Sequence, residues 1–212
     1  MRRGQHARAG PANLNVLSRR SQDVEKKNVE DLSNLMFGLA LTLGALTLVK
    51  PLHDDFGELL RTLLQFALSF FVIIWIWSVY NFTVAKVETT WRPLFALNIA
   101  LLFLIVIEPF LLSISGTVAG AAVYAMDLGT TMIILLLLNE ALLRQIPSGD
   151  EAEVARLKRN RLSLLIGGTV FFASIIPGFI PELRSQGVQS LMWLAVLVFA
   201  VIFRSSRPYP RK

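Results

Sequence analysis

The sequence predicts an all-α integral membrane protein with six transmembrane helices and both termini in the cytoplasm. Hydrophobic residues make up 54% of the 212-residue chain and charged residues only 17%, whereas about 25% of a typical soluble domain is charged. A helix needs ~17–25 apolar residues to cross a bilayer, and helices satisfy their own backbone amides in lipid. Four charge-free stretches have this length: residues 32–49, 62–85, 162–181 and 185–203.

The longer apolar segment, residues 93–143, is interrupted by Glu108, Asp127 and Glu140. A turn is predicted near its middle, which divides it into two helices. The residues that predict the turn are Glu108, Pro109, Ser113, Ser115 and Gly116. Glu108 and Glu140 are expected at the membrane interface, near helix ends. The predicted spans are 31–50, 60–85, 92–112, 118–143, 161–181 and 186–204.

The polar ends of the chain predict its domain organisation and its orientation. Residues 1–24 are expected to form a disordered cytoplasmic tail, 25–206 the transmembrane domain, and 207–212 a second cytoplasmic tail. Of the 21 Lys and Arg residues, 18 lie before residue 32, after residue 203, or between residues 86 and 92 or 144 and 161, at the second and fourth loops. The positive-inside rule therefore places both termini in the cytoplasm.

Composition also excludes several classes of function. The chain has no Cys, and its two histidines, His6 and His53, lie outside the predicted spans. A thiolate metal site, a Cys nucleophile and an intramembrane His site are therefore excluded, and an enzyme is not expected. The basic residues flank apolar segments, which indicates lipid rather than nucleic acid as the partner.

The first predicted span has a distinct helical face. Leu39, Leu43 and Leu46 follow the i, i+4, i+7 spacing of one face, and Thr42 lies beside them. Two interpretations of this stripe stand. It packs in the bundle or faces lipid, or it forms a hydrophobic constriction that gates a pore by dewetting.

An intramembrane carboxylate, Asp127, is the second candidate feature of the sequence. Ionisable groups inside a membrane are expensive to bury and generally have a function. Either a structural hydrogen bond or a proton or ion site would explain Asp127.

The first four predicted helices resemble, in decreasing detail, the transmembrane protein 175 family of potassium channels, in its prokaryotic six-helix branch. The last two helices resemble the family only in number and hydropathy. The first helix resembles the family through Ser33, Ala40, Thr42 and Leu43. The second resembles it through Leu68-Ser69-Phe70 and Trp77, and the third through Leu97-Asn98 and Pro109-Phe110.

This resemblance implies a homotetrameric cation channel in the lipid bilayer of a prokaryotic cell membrane. Four copies of the first helix would surround a pore, with Leu39 as the narrow constriction and Leu43 and Leu46 as the next bulky layers. Thr42 would form a hydroxyl layer linked to potassium preference. The only metal ions implied are permeating K+ and other monovalent cations, and no cofactor is implied.

The resemblance also implies a polar network between the first and second helices. Its members would be Asn28, Ser33, Asn34, Trp77, Tyr80 and Asn81. The chain diverges from the family here, because Asn28, Leu32, Asn34 and the pair Tyr80-Asn81 stand where relatives have Arg, Phe, Asp and two His. Neutral groups cost less to bury, so the network can persist with different conduction. The alternative function is a non-conducting or transporter-like membrane protein of the same fold.

Overall fold

The computed structural model describes residues 11–46, 56–84, 92–146, 151–185 and 187–205. Regular structure within these ranges is helical throughout, which confirms the predicted all-α class for the described chain. The helices are α1 (Pro11–Leu46), α2 (Phe56–Val84), α3 (Arg92–Ile114), α4 (Val118–Gln145), α5 (Glu151–Ala173), α6 (Ile175–Phe179), α7 (Pro181–Ser185) and α8 (Val188–Ser205).

Five segments of the described chain are long and apolar enough to cross a membrane. They are Lys27–Leu46, Thr62–Thr83, Pro93–Ile114, Val118–Gln145 and Glu151–Phe179. The predicted sixth span corresponds to α8, in which the apolar segment Val188–Phe199 is shorter.

The N-terminal segment differs from the sequence prediction. Residues 1–24 were expected to be disordered, but α1 begins at Pro11 and residues 11–24 are helical. Proline at the first helical position loses no hydrogen bond, because the first N–H groups of a helix have no partner in it. Residues 1–10 and the second predicted tail, 207–212, lie outside the described residues.

The connection between α3 and α4 falls within the gap between the predicted spans 92–112 and 118–143. Helix α3 continues through Glu108 and Pro109 to Ile114, and only residues 115–117 separate it from α4. Thr117 caps α4 by accepting a hydrogen bond from the Gly120 backbone N–H at 3.0 Å. A Cβ at Gly120 would lie 2.0 Å from the Ile114 carbonyl oxygen, so the tight turn requires glycine there.

The predicted fifth span is a longer helix with a break near its end. Helix α5 starts at Glu151 and stops at Ala173, and α6 follows after Ser174. Pro177 explains the break, because it has no N–H to donate to the carbonyl of Ala173, four residues earlier.

The core surrounds α4, the most buried of the candidate spans. Helix α4 packs against α3 on one side and α5 on the other, with α2 and α6 completing its contacts. Helix α1 lies at the edge of the bundle. Among the described helices, its extensive contacts are with α2 and α3 alone. This position leaves much of the α1 surface uncovered.

Candidate pore helix and its polar contacts

One side of α1 is exposed along the whole candidate span. Leu35 is 68% exposed, Leu39 43%, Leu43 37% and Leu46 57%. These positions recur at the three- and four-residue spacing of a single helix face. Sequence reasoning identified Leu39, Leu43 and Leu46 but missed Leu35, which extends the same stripe by one turn.

The exposed face of α1 is not uniformly apolar. Asn28, Asp31 and Thr42 are exposed, together with Gly38. The Thr42 hydroxyl donates to the Gly38 carbonyl at 2.9 Å, so its hydrogen is used inside the helix while the oxygen keeps acceptor capacity. Among the five candidate spans, this one is the least apolar.

The opposite face of α1 is fully buried. Ser33, Phe37, Ala40 and Gly44 follow one another at helical spacing and pack towards α2 and α3. Phe37 contacts the Tyr80 ring with 5.4 Å between the ring centroids. Helix α1 therefore has two different faces. One is packed against the bundle, and the other is exposed and carries both leucines and polar residues.

A chain of hydrogen bonds joins α1, α2 and α3 at the polar end of the span. Tyr80 bonds to Ser33 of α1, and its hydroxyl donates to the side-chain oxygen of Asn98 on α3 at 2.7 Å. The Ser33 hydroxyl also lies 2.7 Å from the Val29 carbonyl oxygen, to which it donates. Ser33 and Tyr80 have one hydroxyl hydrogen each, so the two hydroxyls share two hydrogens among these three contacts.

A second bond ties α1 to α2 nearer the surface. The Trp77 indole N–H donates to the side-chain oxygen of Asn34 at 3.1 Å. The structure thus brings together Ser33, Asn34, Trp77 and Tyr80 of the expected network. Asn28 and Asn81 make no hydrogen bond to it among the described side chains. Asn98 is a member that sequence reasoning left out.

Close packing holds α1 at the other end of the span. The Cα of Gly44 faces the Phe66 ring and Pro109, so that a Cβ there would be 3.7 Å from Phe66 and 3.8 Å from Pro109. This apolar contact lies on the same buried face as Ser33. Helix α1 is therefore attached to the bundle by a polar link at one end and an apolar link at the other.

Away from α1, a buried acidic cluster lies between α2, α3 and α4. Glu108 is 1% exposed and is therefore buried between the helices. Its two carboxylate oxygens accept hydrogen bonds from Ser69 at 2.7 Å and Tyr124 at 2.8 Å. Glu140, by contrast, is partly exposed and pairs with Arg161 at 3.4 Å.

Asp127 lies one turn beyond Tyr124 on α4 and is 6% exposed. Neither of its carboxylate oxygens has a hydrogen-bond partner among the described residues. The structural hydrogen bond that would explain Asp127 is thus absent from the part of the chain that is described. Tyr124 links the two acidic residues, because its hydroxyl donates to Glu108 and it lies one turn before Asp127. This link depends on the packing of α3 against α4 and could not be predicted from the sequence.

The several apolar helices of spanning length define an all-helical, multi-pass membrane protein. Within that class, residues 28–109 match the family model of the endosomal/lysosomal potassium channel TMEM175. The match covers less than half of the chain and contains the candidate pore helix, α2 and most of α3. It confirms the resemblance to a potassium channel family over these residues. No curated protein and no solved structure matches the chain.

Proposed function

We propose that this protein is a potassium-permeable cation channel whose pore is lined by α1 from each of four subunits. In this arrangement all six long helices span the membrane, and both termini lie in the cytoplasm of a prokaryotic cell. The protein is expected to catalyse no reaction.

The observation that carries the proposal is the composition of the exposed α1 face. Thr42 lies within the span, and a face against lipid gains nothing from its free acceptor capacity, because polar groups are costly next to acyl chains. Asn28 and Asp31 continue the same polar face at the end of the span. A face against water and neighbouring subunits accommodates all three. Four such faces around an axis would enclose alternating leucine layers and hydroxyl groups.

The leucine layers supply the barrier in this proposal. Leu39 and Leu43 are the least exposed of the four leucines on this face. A narrow apolar ring excludes water and ions until it widens. The Thr42 oxygens would lie directly beside it and replace part of the hydration shell of a passing cation.

The decisive measurement is potassium flux from liposomes that contain the purified protein. Vesicles loaded with K+ are expected to release it when an external gradient is imposed, and empty vesicles are expected to retain it. An ionophore added at the end measures the total K+ and corrects for vesicles without protein. Retention of K+ by vesicles that hold an intact oligomer would refute the channel and favour a non-conducting or transporter-like protein.

Two matched leucine substitutions test which face lines the pore. Leu39→Ala should raise the flux or admit larger cations, because it removes bulk from the proposed constriction. Leu41→Ala makes the same chemical change at a half-buried position that packs against the core, and it should lower stability without opening the pore. A larger effect on flux from Leu41→Ala would show that the helix face is assigned incorrectly.

The number of subunits is tested separately. Chemical cross-linking in native-like membranes, or mass measurement of the detergent-solubilised protein, should give four copies. A monomer that conducts K+ would contradict the four-subunit pore and would place the pore within a single helical bundle.

A further inference from the structure

The buried carboxylates at the α3–α4 contact have no role in the proposed pore. Glu108 and Asp127 belong to helices that pack away from the exposed α1 face, and Tyr124, which donates to Glu108, precedes Asp127 by one turn of α4. Each is more than nine-tenths buried. Two carboxylates in an apolar interior need a compensating positive charge, since the effective cost of burying one uncompensated ion is several kcal/mol.

The hydrogen bonds distinguish the two carboxylates. Both oxygens of Glu108 accept a hydrogen bond, one from Ser69 and one from Tyr124. Hydroxyl donors at both oxygens can stabilise a negative charge on Glu108. Asp127 receives no such donor, so nothing in the described surroundings stabilises a second negative charge.

We propose that Asp127 and Glu108 form a buried carboxyl pair that binds one exchangeable proton, carried by Asp127. Proton binding forms an O–H bond on the Asp127 carboxylate, and release returns the proton to water. The site lies apart from the exposed face of α1, because its two carboxylates belong to α3 and α4.

Few other titratable groups face the pair. Tyr124 lies between the two carboxylates in sequence and is bonded to Glu108, whereas Tyr80 of α2 is bonded in the separate link to Ser33 and Asn98. Glu140 and Arg161 pair with each other at the far end of α4. The remaining segments packed around α4 contain no charged residue: 62–83 of α2, 162–173 of α5, α6 and 188–199 of α8.

The surroundings of the pair would transmit the change in charge. The Tyr124 ring packs edge-on against Trp193 of α8, with 4.9 Å between the ring centroids. The Trp193 indole N–H in turn donates to Ser174 at 2.8 Å, at the junction of α5 and α6. Proton release from Asp127 would place a second charge beside these contacts and loosen the packing of α4 against α8.

Infrared difference spectroscopy of the reconstituted protein tests the proposal directly. A protonated carboxylic acid has a C=O stretch that is separate from the amide bands, and for a buried acid it shifts on exchange into heavy water. The wild-type protein should show such a band, and it should vanish at alkaline pH. Aspartate labelled with heavy carbon in the carboxyl group should shift it, and labelled glutamate should not.

Substitutions provide the second arm of the test. Asp127→Asn should abolish the band, and Glu151→Gln, which changes an exposed carboxylate at the start of α5, should leave it intact. If Asp127→Asn fails to fold, labelling of the wild-type protein still decides the assignment. The proposal is overturned by the absence of the band, by a band that responds to labelled glutamate, or by carboxylate bands that respond to K+ instead of pH. Potassium flux measured on the same vesicles reports on the pore independently.

Discussion

Removal of the Tyr80 hydroxyl tests how α1 is attached to the bundle. Tyr80→Phe keeps the ring and its contact with Phe37 but deletes the bonds to Ser33 and Asn98. Side-chain hydrogen bonds between membrane helices contribute on average ~0.6 kcal/mol and at most about 1.7 kcal/mol each. The loss of two bonds, with Asn98 left buried and unpaired, is therefore expected to lower the free energy of unfolding by about 1–3 kcal/mol.

The assay is equilibrium unfolding in mixed micelles with increasing SDS, followed by tryptophan fluorescence. Thr130→Val is the control, because it removes a hydroxyl that is exposed and bonded only within its own helix, to the Met126 carbonyl. A double-mutant cycle with Ser33→Ala isolates the contact between the two hydroxyls, and a coupling of about 0.5 kcal/mol or more is expected for groups in contact. A coupling of zero, or equal effects of Tyr80→Phe and Thr130→Val, would refute the proposed attachment.

Two further predictions concern the mouth of the pore and the packing of α4. Asp31→Asn should reduce K+ conductance about twofold or more at low salt, because charged rings concentrate counter-ions. High salt should remove the difference by screening the charge. An equal loss of conductance at both salt concentrations would contradict the electrostatic role. Gly129→Ala should destabilise the protein by about 1–3 kcal/mol relative to Gly44→Ala, as measured by SDS unfolding. A Cβ at residue 129 would lie 2.7 Å from the Phe172 ring, whereas a Cβ at residue 44 would make ordinary contacts. Equal stabilities of the two variants would show that Phe172 moves aside freely.

Hydropathy and charge were sufficient to predict the helical class and the approximate positions of the long helices, because lipid permits few alternatives for the backbone. The ends of the helices were predicted less well, because they depend on particular interactions. Helix α3 continues past Pro109, since one missing N–H does not stop a helix that is packed on its neighbours. The polarity of residues 11–24 suggested disorder, although polar residues are also good helix formers when a long helix extends beyond the membrane.

Some of the polar contacts could be predicted from the sequence, and others depend on how the helices pack. The resemblance pointed to Ser33, Asn34, Trp77 and Tyr80, and these four are joined between α1 and α2 in the structure. Asn98 could be placed with them only by knowing how α3 crosses α2. The burial of Glu108 could not be predicted either, because it depends on Ser69 and Tyr124, which come from two other helices.

The two attachments of α1 constrain how this helix can move. Ser33 and Gly44 lie on one face about 16 Å apart along the axis, at ~1.5 Å per residue, with Phe37 and Ala40 between them. Rotation of α1 about its own axis would break the directional bonds at Ser33, whereas the smooth contact of Gly44 with Pro109 tolerates sliding. Helix α1 should therefore tilt about Ser33, and the displacement should be largest at Leu46. The width of the proposed pore would then follow the position of α3, which holds both Asn98 at the pivot and Pro109 at the moving end.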